Sequence, residues 1–284
     1  MTRSARTDLA AEAQRLWQQA ERAASLPEGV QLKTETLHGL PVQAVHIESE
    51  AGSRALGKPR GRYYSLALPQ RSGRGSEDFG PCVLALRELI GRCLDCRPET
   101  VLVAALGNPD ITPDALGNLA AGNLLVTRHL KQQEPETFRA FASVALCRPG
   151  VLGTSGLESA AQVALLCREL RPELVVVIDA LAGCEPESLC RTVQISDAGL
   201  APGSGVGNDR PELSRASLGT SVLSVGVPTV IDAGFFGGEG LAQMFVTPRS
   251  IDSLVRDAAR VIAYGLNLAL HPGLTIADVD GLIG

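Results

Sequence analysis

The stretch VLVAALGNPDITPDALGN, residues 101–118, decides how this chain is read. Val101, Leu102, Val103, Ala104, Ala105 and Leu106 make an unbroken apolar run. Such a run suits a parallel-sheet strand covered on both faces. Gly107-Asn108-Pro109 ends it. Thr112-Pro113-Asp114 then reads as a helix start, with apolar residues at helical spacing over residues 115–130. The order is strand, tight loop, helix, and it places Asp114 in a first helical turn beside the carboxyl end of a strand. In open α/β sheets, ligands and chemistry collect there.

A second stretch, ELVVVID at residues 173–179, follows the same logic. It reads as a buried strand ending at Asp179, with Ala180-Leu181-Ala182-Gly183 beyond it. Taken singly, an aspartate after a strand is usually a cap or turn residue. Two of them at the ends of parallel strands can face one crevice, and the pair is what points to chemistry.

Outward from these stretches, strand and helix patterns alternate. Residues 9–26 predict a helix capped by Thr7 or Asp8. Residues 30–37 and 42–47 predict an antiparallel hairpin around His38-Gly39, and residues 62–68 a third strand. Helices are expected over 79–96, 157–170 and 249–270. Strands are expected over 138–146 and 192–196, with short β runs at 221–225 and 229–231 separated by Gly226 and Pro228. The pattern predicts an α/β fold, a mostly parallel sheet with helices on both faces. Residues 1–284 are expected to form a single domain, extended by a β-rich portion at about residues 30–70.

The chain has 284 residues, 45% hydrophobic and only 4% aromatic, so its core is built from Val, Leu, Ile and Ala. A net charge of -5 gives no basic footprint for nucleic acid. No run is apolar enough to span a bilayer, and residues 1–6 lack the centre of a signal peptide, so a cytoplasmic location is expected. The seven cysteines form no regular framework. Cys93-Leu94-Asp95-Cys96 has no second pair at zinc spacing, and no metal is expected there.

Gly203-Ser204-Gly205-Val206-Gly207-Asn208 fails both the Walker and the GxGxxG patterns. Its glycines let a backbone pass close to something. Asn108, Gly203, Ser204, Gly205, Gly207 and Asn208 are therefore expected to form a substrate-binding loop region. Ser204 is not in a GxSxG elbow. His38, His46, His129 and His271 are scattered, which leaves carboxylates as the leading acid–base groups.

Several motifs together resemble one family. ALGNPDITPDALG, VVVIDALA, TVQISDAGLAPGSGVGNDR and VPTVIDA resemble, in order, blocks of the germination proteases. RTDLAAEA, MFVTPRSID and YGLNLALH resemble its two ends. The resemblance implies an atypical aspartic endopeptidase that degrades small acid-soluble spore proteins during spore germination. It implies a zymogen trimmed before or near Arg6, a homo-oligomer (a tetramer in the family), a spore-core location and no cofactor. It places the catalytic aspartates at Asp114 and Asp179, on a fold similar to the hydrogenase-maturation peptidases. Between Asp232 and Val246 this chain has a Gly-rich run where many members carry a longer segment. Two other readings compete. One is a metal-assisted peptidase or maturation factor, since two aspartates suit a hard cation. The other is a phosphate- or nucleotide-binding module built on the Gly203 loop.

Overall fold

The computed structural model describes residues 7–203, 210–236, 241 and 244–283. In chain order the elements are α1 (Ala10–Glu21), β1 (Val30–Leu37), β2 (Leu40–Ile47), α2 (Glu50–Leu56), β3 (Gly61–Ala67), α3 (Phe79–Cys93), β4 (Thr100–Ala105), α4 (Leu116–Ala121) and α5 (Arg128–Gln133). They continue with β5 (Ser143–Cys147), α6 (Leu152–Ser155), α7 (Ser159–Leu170), β6 (Leu174–Gly183), β7 (Thr192–Ser196), α8 (Arg215–Leu218), β8 (Ser221–Asp232), β9 (Phe245–Val246), α9 (Ile251–Leu270) and α10 (Ile276–Ile283).

Among the described residues the strands form one nine-stranded sheet in the order β1-β2-β3-β7-β8-β6-β4-β5, with β9 on β8. From β8 to β5 the pairings are parallel, as the buried runs predict. From β1 to β8 they are antiparallel, so the expected hairpin widens the same sheet.

Side-chain alternation sorts the core onto two faces. Val101, Val103, Val176, Ile178, Leu223 and Val225 pack with Leu86, Leu89 and Ile90 of α3 and with Val261 and Ile262 of α9. Leu102, Ala104, Val175, Val177 and Val222 face the other way, onto Ala160, Val163 and Cys167 of α7. A smaller cluster joins Ala10 and Ala11 of α1 to Val45, Ile47 and Tyr63. Burying a leucine of this kind stabilises by about 1.5–3 kcal/mol.

Several boundaries differ from the sequence reading. The helix expected over 115–130 is two helices, α4 and α5. Between them Asn267 of α9 takes over the backbone: its amide donates to Asn123 O, and its oxygen accepts from Leu125 N–H. The strand expected to start at 138 begins at Ser143. The two β runs around Pro228 are one strand, because a register shift opposite Leu181 and Ala182 absorbs the proline. β6 does not stop at Asp179 but runs on to Gly183.

Candidate active site

The turn after β4 is fixed by its glycines. Gly107 has φ +97°, and a Cβ there would lie 1.9 Å from the Asp114 carbonyl oxygen. Only glycine fits that conformation and that approach. Gly117 lets α4 press onto the strand ends, since its Cβ would fall 2.5 Å from Leu106 O and 2.7 Å from Ile178 O. Asn118 Nδ2 donates to Gly107 O at 2.9 Å, and Asn108 Oδ1 accepts from Asp110 N–H at 3.0 Å. The LGN and PDALG motifs are thus the two halves of one folded corner.

Asp114 sits at the end of a short 3₁₀ turn, Thr112–Asp114, rather than in a longer helix. Its Oδ2 accepts the Asn108 backbone N–H at 2.8 Å. Burial raises its pKa, opposed by that hydrogen bond and by Arg210. Asp179 continues the Val175–Val177 side of β6, one residue past the last β4 pairing. It is 5% exposed. Burial pushes its carboxyl well above the usual carboxylate range, the charges of Asp114 and Asp8 push it further, and the Ala180 N–H and Arg210 oppose them. Its Oδ1 accepts that Ala180 N–H at 3.0 Å.

Both aspartates line one cleft of about 560 Å³, together with Asn108, Gly203 and Arg210. Ile111 and Phe245 form an apolar rim, 52% and 44% exposed. Of the predicted substrate-binding residues the structure describes Asn108 and Gly203, the latter at φ +73°; Ser204, Gly205, Gly207 and Asn208 lie outside the described residues, as does Arg6.

Two charged residues of the cleft, among those described, are not found by the sequence reading. Asp8, expected as a cap, instead exchanges two bonds with β6. Its N–H donates to Ala182 O, and its Oδ2 accepts from Ala182 N–H, both at 2.8 Å. Leu9 occupies the cap position of α1. Fully buried Glu12 holds this segment by accepting from Cys184 N–H, Glu185 N–H and the Ser188 hydroxyl. Lys58 Nζ donates to Thr7 O at 2.7 Å, and burial lowers its pKa against the pull of Asp8 and Glu12. Arg210 is the second missed residue. Both stand inside motifs that carry the family resemblance, RTDLA and GVGNDR, which is the signal that marks them.

A carboxylate pair in a cleft where β4 ends beside β6, one member more buried than the other, is an arrangement suited to acid–base chemistry. The comparisons with known proteins give the class. The family model described as Germination protease matches residues 6–241. A germination protease of Caldanaerobacter subterraneus subsp. tengcongensis is 35% identical, with 98% of each chain covered. One from Clostridium perfringens is 33% identical over 97% of this chain and 98% of its own. One from a Geobacillus species is 37% identical over 92% of this chain and 70% of its own. Among solved structures, a NiFe hydrogenase maturation protease, HycI, from Thermococcus kodakarensis aligns with TM-score 0.37 and 18% identity, over 63% of this chain and 98% of that one. The family model and the curated relatives make the chain a peptidase. It belongs to the germination protease family.

Proposed function

We propose that this protein is an aspartic-type endopeptidase that cuts small acid-soluble spore proteins when a spore germinates. We infer that the whole chain works as one peptidase domain in the spore core, assembled as a homo-oligomer and needing no cofactor. The observation that carries the aspartate mechanism is the pairing of Asp114 and Asp179 in one cleft, with Asp179 the more strongly raised.

Two carboxyls in electrostatic contact share a proton more readily than they both ionise. Asp179 holds the proton, and Asp114 is the anion that receives the Asn108 N–H. Asp114 takes a proton from water as its oxygen attacks the scissile carbonyl. The tetrahedral intermediate collapses with cleavage of the C–N bond, and the Asp179 proton goes to the departing amine. Arg210 faces the charge that develops on the carbonyl oxygen. The apparent pKa values belong to the pair.

The test is incubation with a purified small acid-soluble spore protein, read by mass spectrometry with and without a chelator. Discrete internal cuts that persist with the chelator are expected. An intact substrate overturns the reading. Loss of cutting restored by a divalent metal overturns the metal-free mechanism.

A further inference from the structure

The two edges of the sheet are finished differently. β5 forms one edge, and the chain covers it itself: Thr127 N–H donates to Val144 O at 3.1 Å, and Val144 N–H donates to Thr127 Oγ1 at 3.0 Å. β1 forms the other edge, and among the described residues it pairs with β2 alone. His38 and Gly39, both at positive φ, close a tight hairpin that makes Leu37 and Leu40 a hydrogen-bonded pair. Glu48 N–H donates to Gly29 O at 2.8 Å, which continues the same alternation to the far end. Residues 31, 33, 35 and 37 therefore turn their backbone groups to β2, and residues 30, 32, 34 and 36 turn theirs outward. Val30 N–H is taken by Pro27 O at 3.1 Å. The N–H and C=O groups of Leu32, Thr34 and Thr36 have no hydrogen-bond partner among the described residues.

Such a row is a template for another strand, and proteins usually block it with lysine, proline or a bulge. β1 has no proline, and its register against β2 is unbroken. Lys33, its side chain 73% exposed, is the charge that turns away an arbitrary strand. A second copy of β1, run antiparallel about a two-fold axis at Thr34, is not turned away. Leu32 then pairs with the partner's Thr36, Thr34 with the partner's Thr34, and each outward N–H meets a C=O. Lys33 falls opposite the partner's Glu35, at the non-hydrogen-bonded positions where side chains come closest. Lys33 Nζ already lies 3.2 Å from Glu35 of its own strand. An ammonium has three donors, so it can serve both carboxylates. Threonine opposite threonine is also a favourable cross-strand pair, and Leu32, 36% exposed, gains cover from the added strand.

We propose that β1 is a self-pairing edge, which joins two copies of this chain into one continuous antiparallel sheet about a two-fold axis at Thr34. This rests on the homo-oligomer inferred above and names its surface and symmetry. β2, β3, β7 and β8 stand between β1 and β6, so the join lies away from both clefts.

Molecular mass in solution, measured by light scattering on the full chain, tests it. Thr34→Pro removes the central N–H, and an edge strand tolerates proline. Its mass should fall to about half that of wild type or below. Lys33→Glu and Glu35→Lys each set like charges opposite one another, and each alone should weaken association about tenfold or more. Mixing these two variants puts opposite charges back at both contacts and should restore the wild-type mass. Should Thr34→Pro unfold, the mixed pair decides alone. Wild-type mass in every variant, or no recovery on mixing, overturns the proposal and leaves the homo-oligomer reading standing. A monomeric wild type overturns both and leaves the peptidase reading untouched.

Discussion

The segments that carry the two aspartates solve opposite problems. β4 stops, turns on Gly107 and delivers Asp114 from a loop, partly buried and hydrogen-bonded to a backbone N–H. β6 runs on, and Asp179 stays inside the sheet, 5% exposed, accepting the N–H of its neighbour Ala180. One segment spends backbone geometry to stabilise an anion. The other spends burial to keep a carboxyl protonated. The difference teaches how two chemically identical side chains come to sit in different electrostatic environments: strand length sets how deeply each is buried.

The sharpest way to break this comparison is to remove each carboxyl in turn. Asp114→Asn and Asp179→Asn should each lower proteolysis by about 10³-fold or more, and the double change should cost little beyond either single one. Stability should separate the two. The folded-state pKa of Asp179 lies above the unfolded value of about 3.9. Between those values the folded state binds more protons, so wild-type stability falls as pH rises through the window. Asp179→Asn removes that penalty. Its urea midpoint should match wild type below about pH 4 and exceed it toward neutrality. The gain for Asp114→Asn should be smaller, since Asp114 is the less buried and is helped by the Asn108 N–H. An Asp179→Asn variant that is less stable than wild type at neutral pH would sink the burial account.

Gly107→Ala attacks the turn rather than the charge. Its Cβ meets the Asp114 carbonyl at 1.9 Å from a positive φ, so a loss on the order of 3 kcal/mol is expected. Denaturant unfolding measures it, and an unchanged midpoint would mean that the corner is not rigid.

The smallest effect sharpens the electrostatic half of the comparison. Arg210 lowers the pKa of both aspartates. Arg210→Gln should shift both limbs of the pH–rate profile to higher pH. A fall in rate with both limbs unmoved would make Arg210 a substrate contact instead.

Much of this was legible in residues 101–118. An apolar run, a Gly-Asn-Pro stop and a Pro-Asp turn are local signals, and each sits where it was expected. Residues 180–183 were not legible as strand. Ala-Leu-Ala-Gly has little β preference, and it is β8 alongside that keeps it extended. Pro228 misled for the converse reason: a proline usually interrupts a strand, and only the register shift shows how this one is accommodated. The break between α4 and α5 depends on Asn267, more than a hundred residues away, and no local pattern reports such a contact. Asp8 reached the cleft for the same kind of reason, through bonds to Ala182 with a separation of 174 residues.

That Asn267 clasp also bears on the order of assembly. α9 is synthesised after every strand of the sheet. A chain still growing can pair β4 with β6 before the side chain that secures Leu125 and Asn123 exists. The corner carrying Asp114 packs through α4 against α9, so it lacks its final support until then. The corner that carries Asp114 is then the part of the cleft seated last. Hydrogen exchange at Leu125 in a chain lacking α9 would read the missing support directly.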